Sequence, residues 1–398
     1  MRILQVGIGF LSPSGVTGPV TVGGTARVMY NNGIELYRRG HAVEVYCTNR
    51  LDKRRRLSRQ TIIWDYDGIK VTYFNTYALP WWPGTMGPTI SPDAFGVVRR
   101  ELHLFDVVHL HEIRSFLALI VALFAQRYGI PYVVQPHGSL MLYYNSRLAK
   151  RIYDGLFLLP ILHGARRVIA LHEIEKQECV QVGVPYSKIE VIPNGIPLAF
   201  GDDIPSYGTF RRRFGIEVQE KLILFVGRLE KRKGIDLLIR AFSLLDRKDA
   251  RLVIVGPDDG FLQRLRQLVK MLSIEPGKVI FTGGIHHSEV YQAYKDADVF
   301  VHPCPLGAGD AFPMSILEAA ACGVPLVLSG STKSSHLFQD GAIIVPPDPS
   351  CLADAINRIL DDDLLKIEKG RRARRIAEGL SITGVVSKLE ALYKQVTK

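Results

Sequence analysis

Residues 310–325 read DAFPMSILEAAACGVP, with two acids, Asp310 and Glu318, on either side of a proline that precedes an apolar run. Proline suits the first turn of a helix, because the N–H it lacks would be unpaired there. The spacing therefore predicts a helix opened by Pro313 and closed at Gly323, since glycine readily takes the left-handed conformation just past a helix end. Met314 and Ser315 would then present free backbone N–H groups at the positive end of the helix dipole, which suits an anion. Glu318 follows about five residues later, roughly 7–8 Å along the axis at 1.5 Å per residue. A diphosphate at the helix start would place an attached ribose near Glu318 and an attached sugar near Asp310. The same pattern also describes an ordinary amphipathic helix with Glu318 in solvent.

A second segment, LFVGRLEKRKGID, carries complementary charge. A buried strand would end at Gly227, followed by Arg228, Lys233 and Gly234, with Asp236 in the first turn of the next helix. Cations at the C-terminal end of a strand, beside glycines, favour an anion. Arginine can grip phosphate oxygens bidentately and lysine adds a point charge. Elsewhere, Gly15, Gly18, Gly23 and Gly24 follow the first strand and allow close approach of backbone to a phosphate or sugar. They do not form GxGxxG. His137 ends an apolar strand in QPHGS, an edge where side chains face the ligand crevice of a doubly wound sheet; a hydrogen-bonded structural histidine is the alternative. His109 and His111 in VVHLHE fall on one side of their strand, as structural or crevice-lining residues with no metal implied. Asp65-Tyr66-Asp67 has the form of a DxD metal site, but its place before Gly68 predicts a hairpin turn.

These residues need strands and helices to position them, and the chain alternates the two. Apolar runs at Arg2–Val6, Ala42–Cys47, Lys70–Phe74, Val107–Leu110, Tyr132–Gln135, Arg167–Ala170 and Ile189–Ile192 are separated by helical stretches such as Thr25–Arg39, Ser115–Tyr128 and His172–Val182. The pattern restarts after a Pro-, Gly- and Asp-rich stretch, Pro193–Tyr207, with strands at Leu222–Val226, Arg251–Val255, Val279–Thr282, Val299–His302, Leu326–Leu328 and Ile343–Val345. This predicts an α/β protein of two Rossmann-like doubly wound domains facing a central cleft. The expected division is 1–195, 196–380, and a terminal segment, 381–398.

At 398 residues the chain is too long for one ordinary core, which agrees with two domains. The longest apolar stretch, Phe116–Phe124, is far short of the roughly 20 residues needed to span a bilayer, and reads as a buried helix. MRILQVGIGF reads as a first strand, not a signal peptide. Cys47, Cys179, Cys304, Cys322 and Cys351 are scattered without CxxC spacing, so neither a disulfide framework nor a zinc site is indicated and a reducing cytosol fits. The net charge of +11 reads either as a polyanionic partner, whether nucleic acid, anionic lipid headgroups or phosphorylated substrates, or as solvated basic surface. Of the two basic runs, Lys366–Arg375 reads as a solvated helix face. Arg50–Arg59, followed by Trp81 and Trp82 in a Pro/Gly-rich loop, suits an anionic membrane surface, although the tryptophans could equally pack in a core or line an acceptor cleft.

With these residues assembled, the chain resembles glycosyltransferases of the GT-B fold, specifically family 4 of the retaining enzymes, over nearly its whole length. Gly23-Gly24 followed by LYRRGHAVEVYC resembles the family's opening glycine loop, first helix and second strand. VIPNGI at 191–196 resembles its interdomain motif, with Pro197 in place of the usual acid. GRLEKRKG resembles the phosphate-clamping motif, and DAFPMSILEAAACGVP the E-x7-E segment. Here the chain has Asp310 where the family usually has glutamate, and Pro313 where it usually has glycine.

The resemblance implies transfer of a hexose from a nucleoside diphosphate sugar to a hydroxyl of a glycan, lipid or lipid-linked saccharide, with retention of configuration. Arg228 and Lys233 would bind the diphosphate and stabilise the charge that builds on it. Glu318 would hold the ribose, and Asp310 with the amides of Met314 and Ser315 would position sugar and phosphate. Gly23 and Gly24 would close over the diphosphate, and His137 would contact the sugar. No metal or other cofactor is implied, and a donor phosphate oxygen can accept the proton. The terminal helix would pack back on the first domain, as in the family. The expected location is cytoplasmic, peripheral on the inner face of the membrane. A sugar-nucleotide 2-epimerase on the same fold and a basic nucleotide or nucleic-acid binder are the competing readings. Against the last, no RRM-like or helix-turn-helix signature is present. Acceptor contacts are expected from first-domain loops including Leu140–Arg147.

Overall fold

The computed structural model describes residues 1–11, 23–50, 56–78, 89–140, 154–198, 207–307 and 310–398. Gly15, Gly18, Trp81, Trp82, residues 51–55 of the first basic run and 141–147 of the expected acceptor loop lie outside the described residues. The described residues up to Gly195 together with Ile382–Lys398 form one compact unit, and those from Ile196 to Ser381 form another.

The first unit is built on strands β1 (Arg2–Val6), β2 (Ala42–Thr48), β3 (Ile62–Tyr66) and β4 (Ile69–Phe74). A short antiparallel pair, β5 (Tyr77–Ala78) and β6 (Thr89–Ile90), lies apart. Strands β7 (Val107–His111), β8 (Tyr132–Gln135), β9 (Arg167–Ala170) and β10 (Ile189–Val191) complete the main sheet. Its order is β10-β9-β8-β7-β1-β2-β4-β3, parallel except for β3. Alternation divides each strand between two buried faces. Leu4, Val6, Val108 and Leu110 join one core cluster, while Ile3 and Val107 join the other. Such two-sided burial is what parallel strands require. The helix Gly24–Arg38 contributes Met29 and Leu36 to the second cluster. The terminal helix Ile382–Val396 completes it with Ile382, Val385, Val386, Leu389, Leu392 and Tyr393. The last strand of the chain's first half is therefore not the end of this unit's core.

The second unit has strands β11 (Lys221–Val226), β12 (Ala250–Val255), β13 (Val279–Gly283), β14 (Val299–His302), β15 (Leu326–Ser329) and β16 (Ala342–Val345). Their order is β13-β12-β11-β14-β15-β16, and every pair is parallel. The chain winds outward from β11 in one direction and from β14 in the other. The C-terminal ends of these two neighbours form a topological switch point, where open α/β sheets bind ligands.

Several smaller expectations resolve here. Asp65-Tyr66-Asp67 belongs to a β3–β4 hairpin whose turn uses Asp67 and Gly68 at positive φ. All five cysteines are unpaired. The second basic run lies on the helix Asp363–Gly379, where Lys366 reaches Asp298 at 2.9 Å while Arg372 and Arg374 pair with exposed glutamates of the same helix. No helix among the described residues is long and apolar enough to cross a membrane.

Candidate active site

The second unit's switch point is assembled by a close backbone approach. After β11 the chain passes Gly227 and Arg228, forms one 3-10 turn, Lys231–Lys233, and enters the helix Ile235–Leu244 through Gly234 at φ 68°. A Cβ on Gly234 would lie 2.0 Å from the carbonyl oxygen of Pro303, just past β14. Only glycine tolerates both the left-handed backbone and this contact. The approach sets Lys233 against Asp310, with Nζ donating to Oδ1 at 2.9 Å and Oδ2 at 2.8 Å. His302, the last residue of β14, sits 3.1 Å from Asp310 Oδ2 through Nε2 and is 1% exposed. Burial lowers the His302 pKa against the raising effect of the Asp310 hydrogen bond, so the neutral ring donates Nε2–H to the carboxylate. Burial acts to raise the Asp310 pKa, but the Lys233 charge and the His302 hydrogen bond outweigh it and hold the carboxyl well below its usual range.

The predicted helix is present as Met314–Ala321, one residue later than the proline pattern suggests: Pro313, with ψ 121°, takes the cap position and Met314 begins the helix. Extended ψ at Pro313 leaves it outside the first turn, yet its carbonyl still receives the Ile316 N–H at 3.2 Å. Met314 and Ser315, as the first two helical residues, have no partner four residues back in the helix for their N–H groups. Gly323 follows the C-cap at φ 73°, as the sequence indicates. Glu318 is not in solvent, in contrast to the amphipathic-surface alternative. It is 7% exposed and accepts a hydrogen bond from Tyr294 Oη at 3.0 Å. Burial, then the charge of Glu318, raises the Tyr294 pKa and keeps that hydroxyl a donor.

Arg228 is 40% exposed and bonds Asp259 at 2.8 Å and Glu230 at 3.2 Å. The second unit thus holds Arg228, Lys233, Asp310, Met314, Ser315 and Glu318, and directly joins Lys233 to Asp310. Sequence reasoning missed His302, Cys304 and Tyr294. The signal that singled out His137, a histidine ending an apolar strand, applies equally to His302 in VFVH.

The first unit carries the remaining sequence candidates. Gly23 caps the helix Gly24–Arg38 with extended backbone and open space around its Cα. Thr25 in that first turn donates to Glu112 Oε1 at 2.8 Å. Glu112 and His137, just past β7 and β8, both have left-handed backbones, with φ 58° and 53°. Such strained positions cluster at functional sites. His137 shares a 2.8 Å hydrogen bond with His111 Nδ1, whose ring stacks 3.9 Å from that of His109. His109 Nδ1 in turn meets Tyr393 Oη of the terminal helix at 2.7 Å. His109 and His111 do lie on one side of their strand. Burial pushes His109 and His137 down to about 3 and His111 well below its ordinary value, so the row is neutral near pH 7.

Two α/β units with parallel-sheet cores, the second with cations, a carboxylate and a helix start at its switch point, have the architecture of the GT-B class. The fold matches Anabaena Alr3699/HepE in complex with UDP-glucose, with a TM-score of 0.75 and 20% identity over 99% of this chain and 100% of that one. Residues 22–200 match the model for Glycosyltransferase Family 4 and residues 207–379 the model for Glycosyl transferases group 1. The chain is 30% identical to the D-inositol 3-phosphate glycosyltransferase of Xylanimonas cellulosilytica, across 71% of this chain and 69% of that protein. It is 26% identical to the enzyme of the same name from Kineococcus radiotolerans, across 97% and 94%. The chain belongs to glycosyltransferase family 4, and the protein is a glycosyltransferase.

Proposed function

We propose that the protein transfers a hexosyl group from a nucleoside diphosphate sugar to a hydroxyl of a sugar or lipid acceptor, with retention at the anomeric carbon. The observation that carries this reading is the Lys233–Asp310 pair at the switch point, immediately ahead of the helix start at Met314. A diphosphate entering there exchanges carboxylate partners for phosphate oxygens on Lys233 and Arg228. Glu318, held by Tyr294, accepts from the ribose hydroxyls, and Asp310 accepts from a hydroxyl of the sugar. As the bond from C1 to the diphosphate oxygen breaks, its electron pair stays on that oxygen, where the two cations and the Met314 and Ser315 amides stabilise it. The acceptor oxygen bonds to C1, and its proton passes to a phosphate oxygen of the leaving diphosphate.

The Anabaena structure makes UDP-glucose the first donor to test. A thermal-shift screen of UDP-, GDP- and ADP-sugars identifies the base, because a ligand bound only by the folded state raises its stability. Transfer by Lys233→Ala and Glu318→Gln should then fall by about 10²–10³, the scale of losing one such stabilising group. The glutamine variant still accepts from Tyr294, which separates donor binding from folding. Wild-type turnover in both would remove the proposed site. With cations supplied by the protein, a chelator should not slow the reaction. The net charge of +11 supports work at an anionic membrane face; sedimentation with anionic liposomes tests this, and no binding at low salt rejects it.

A further inference from the structure

His302, Cys304 and Asp310 bring an imidazole, a thiol and a carboxylate together, with their ligand atoms all within 4.8 Å of one another. We propose that these three residues form a binding site for a borderline-soft divalent cation, zinc in the reference case, and that its occupation takes Asp310 from Lys233 and stops sugar transfer. The inhibitory half rests on the donor role proposed above; the metal site does not.

Geometry is the first argument. Nitrogen and oxygen ligands about 2.0 Å from a tetrahedral zinc stand about 3.3 Å apart, and nitrogen and sulfur about 3.6 Å. His302 Nε2 and Asp310 Oδ2 are 3.1 Å apart, so that edge is already formed. The sulfur, within 4.8 Å of the other two ligand atoms, has to come in to about 3.6 Å. Chemistry is the second argument: mixed nitrogen, sulfur and oxygen ligation suits zinc or cobalt and is a poor match for magnesium or calcium. Burial is the third. His302 and Cys304 are buried, and His302 Nδ1 has no hydrogen-bond partner, so the ring's polar commitment is to Asp310 alone. The position a cation favours is now served by the Lys233 ammonium, 2.8–2.9 Å from both carboxylate oxygens. On binding, Cys304 gives its thiol proton to solvent and the His302 proton moves from Nε2 to the unpartnered Nδ1, so that Nε2, the sulfur and an Asp310 oxygen donate to the metal while the ammonium is repelled. Asp310 committed to the cation can no longer accept from the donor sugar, so the occupied site does not support transfer. The ligands fall at 302, 304 and 310, a spacing that no cysteine motif announces.

The test is a cobalt titration of the full chain. Wild type should show the sulfur-to-cobalt charge-transfer band in the near ultraviolet with tetrahedral visible bands, saturating at one metal per chain. Cys304→Ser should lose the charge-transfer band; Cys304→Ala, which buries no hydroxyl, guards against misfolding of the serine variant. Losing even a supporting partner of a ligand costs about 10–100-fold in affinity, so His302→Gln should lose at least that. Lys233→Ala should bind cobalt more tightly, since the competing ammonium is gone, which an adventitious surface site would not do. Absence of the band in wild type, or its survival in both Cys304 variants, overturns the site. Zinc should also inhibit transfer by wild type, reversibly with chelator, and spare Cys304→Ser. Cobalt binding without zinc inhibition overturns the inhibitory half, and a chain that transfers from no nucleotide sugar overturns the proposed donor reaction while the spectra still decide the metal.

Discussion

Asp310 shows how much one carboxylate can be asked to do. Its oxygens hold Lys233 and accept from His302, and its backbone carbonyl accepts from Lys333 N–H at 3.2 Å. Asp310→Asn leaves the Lys233 charge without its partner, so the folded protein should lose a few kcal/mol, toward the lower end of the 3–5 kcal/mol typical of a broken buried pair because both groups keep some exposure. A free nucleoside diphosphate no longer has to displace the carboxylate. Calorimetry should therefore show it binding more tightly, by on the order of tenfold for a gain of about 1.4 kcal/mol, while transfer falls because the sugar has lost its acceptor. Unchanged affinity would mean that Lys233 does not meet the diphosphate. The histidine row gives a second prediction. His109 and His137 titrate at about 3 when folded against about 6.5 unfolded, so between those values the unfolded chain binds more protons. Their stabilisation is complete above about pH 6.5 and falls on acidification, by up to about 1.4 kcal/mol per pH unit for each. Asp310, also depressed but a carboxylate, loses its contribution only below the ordinary carboxylate range and does not confuse this window. Thermal unfolding from pH 7 to pH 4.5 should show the decline, and His109→Gln should make it shallower; identical pH slopes would reject the assignment.

Two glycines separate backbone strain from steric room at the level of the element. Gly234 and Gly323 have nearly the same φ, 68° and 73°, but a Cβ would meet Pro303 O at 2.0 Å in the first and nothing nearer than 3.9 Å in the second. Gly323→Ala should cost only the left-handed penalty of about 1–2 kcal/mol and keep activity. Gly234→Ala must push the Lys231–Lys233 turn away from β14, so donor affinity should collapse; equal effects on melting and affinity in the two variants would refute the contact. Elements of this kind were largely legible in the chain. Buried parallel strands are continuous apolar runs, and β1, β8, β9 and β14 begin and end where those runs do. The edge strand β3 was not legible, because Ile63 and Trp64 are exposed and the segment lacks the alternation of a half-buried strand. Pro313 moved from the first turn to the cap because ψ, which proline leaves free, turned extended. Glu318 was singled out by its spacing from Asp310 but was not legible as a buried residue, since its partner Tyr294 lies on another helix. His302 and Cys304 went unread for the same reason: what makes them a site is Asp310, brought to them by a loop.

At the scale of the molecule, sequence order and folding unit part company at the end of the chain. The terminal helix follows the second unit in sequence but buries Ile382, Val385, Val386, Leu389, Leu392 and Tyr393 in the first unit's core, and Arg39 anchors it through Thr383 O at 2.7 Å and Glu390 at 3.3 Å. Each such side chain contributes about 1.5–3 kcal/mol on burial, so together they rival the 5–15 kcal/mol by which a whole domain is usually stable. The second unit has its own core, from Ile223 and Phe225 to Ile356 and Ile359, and owes none of those residues to the helix. Truncation after Ser381 should therefore abolish cooperative unfolding of the first unit and leave a separate transition for the second. The residues proposed to hold the diphosphate, Arg228, Lys233 and the Met314–Ser315 amides, all stay with the second unit. A nucleoside diphosphate at 100 times its Kd should still stabilise that remaining transition by about 2.7 kcal/mol, although transfer is lost. Differential scanning calorimetry with and without nucleotide checks both halves: two intact transitions would show the helix to be dispensable, and a remaining transition indifferent to nucleotide would place donor binding elsewhere.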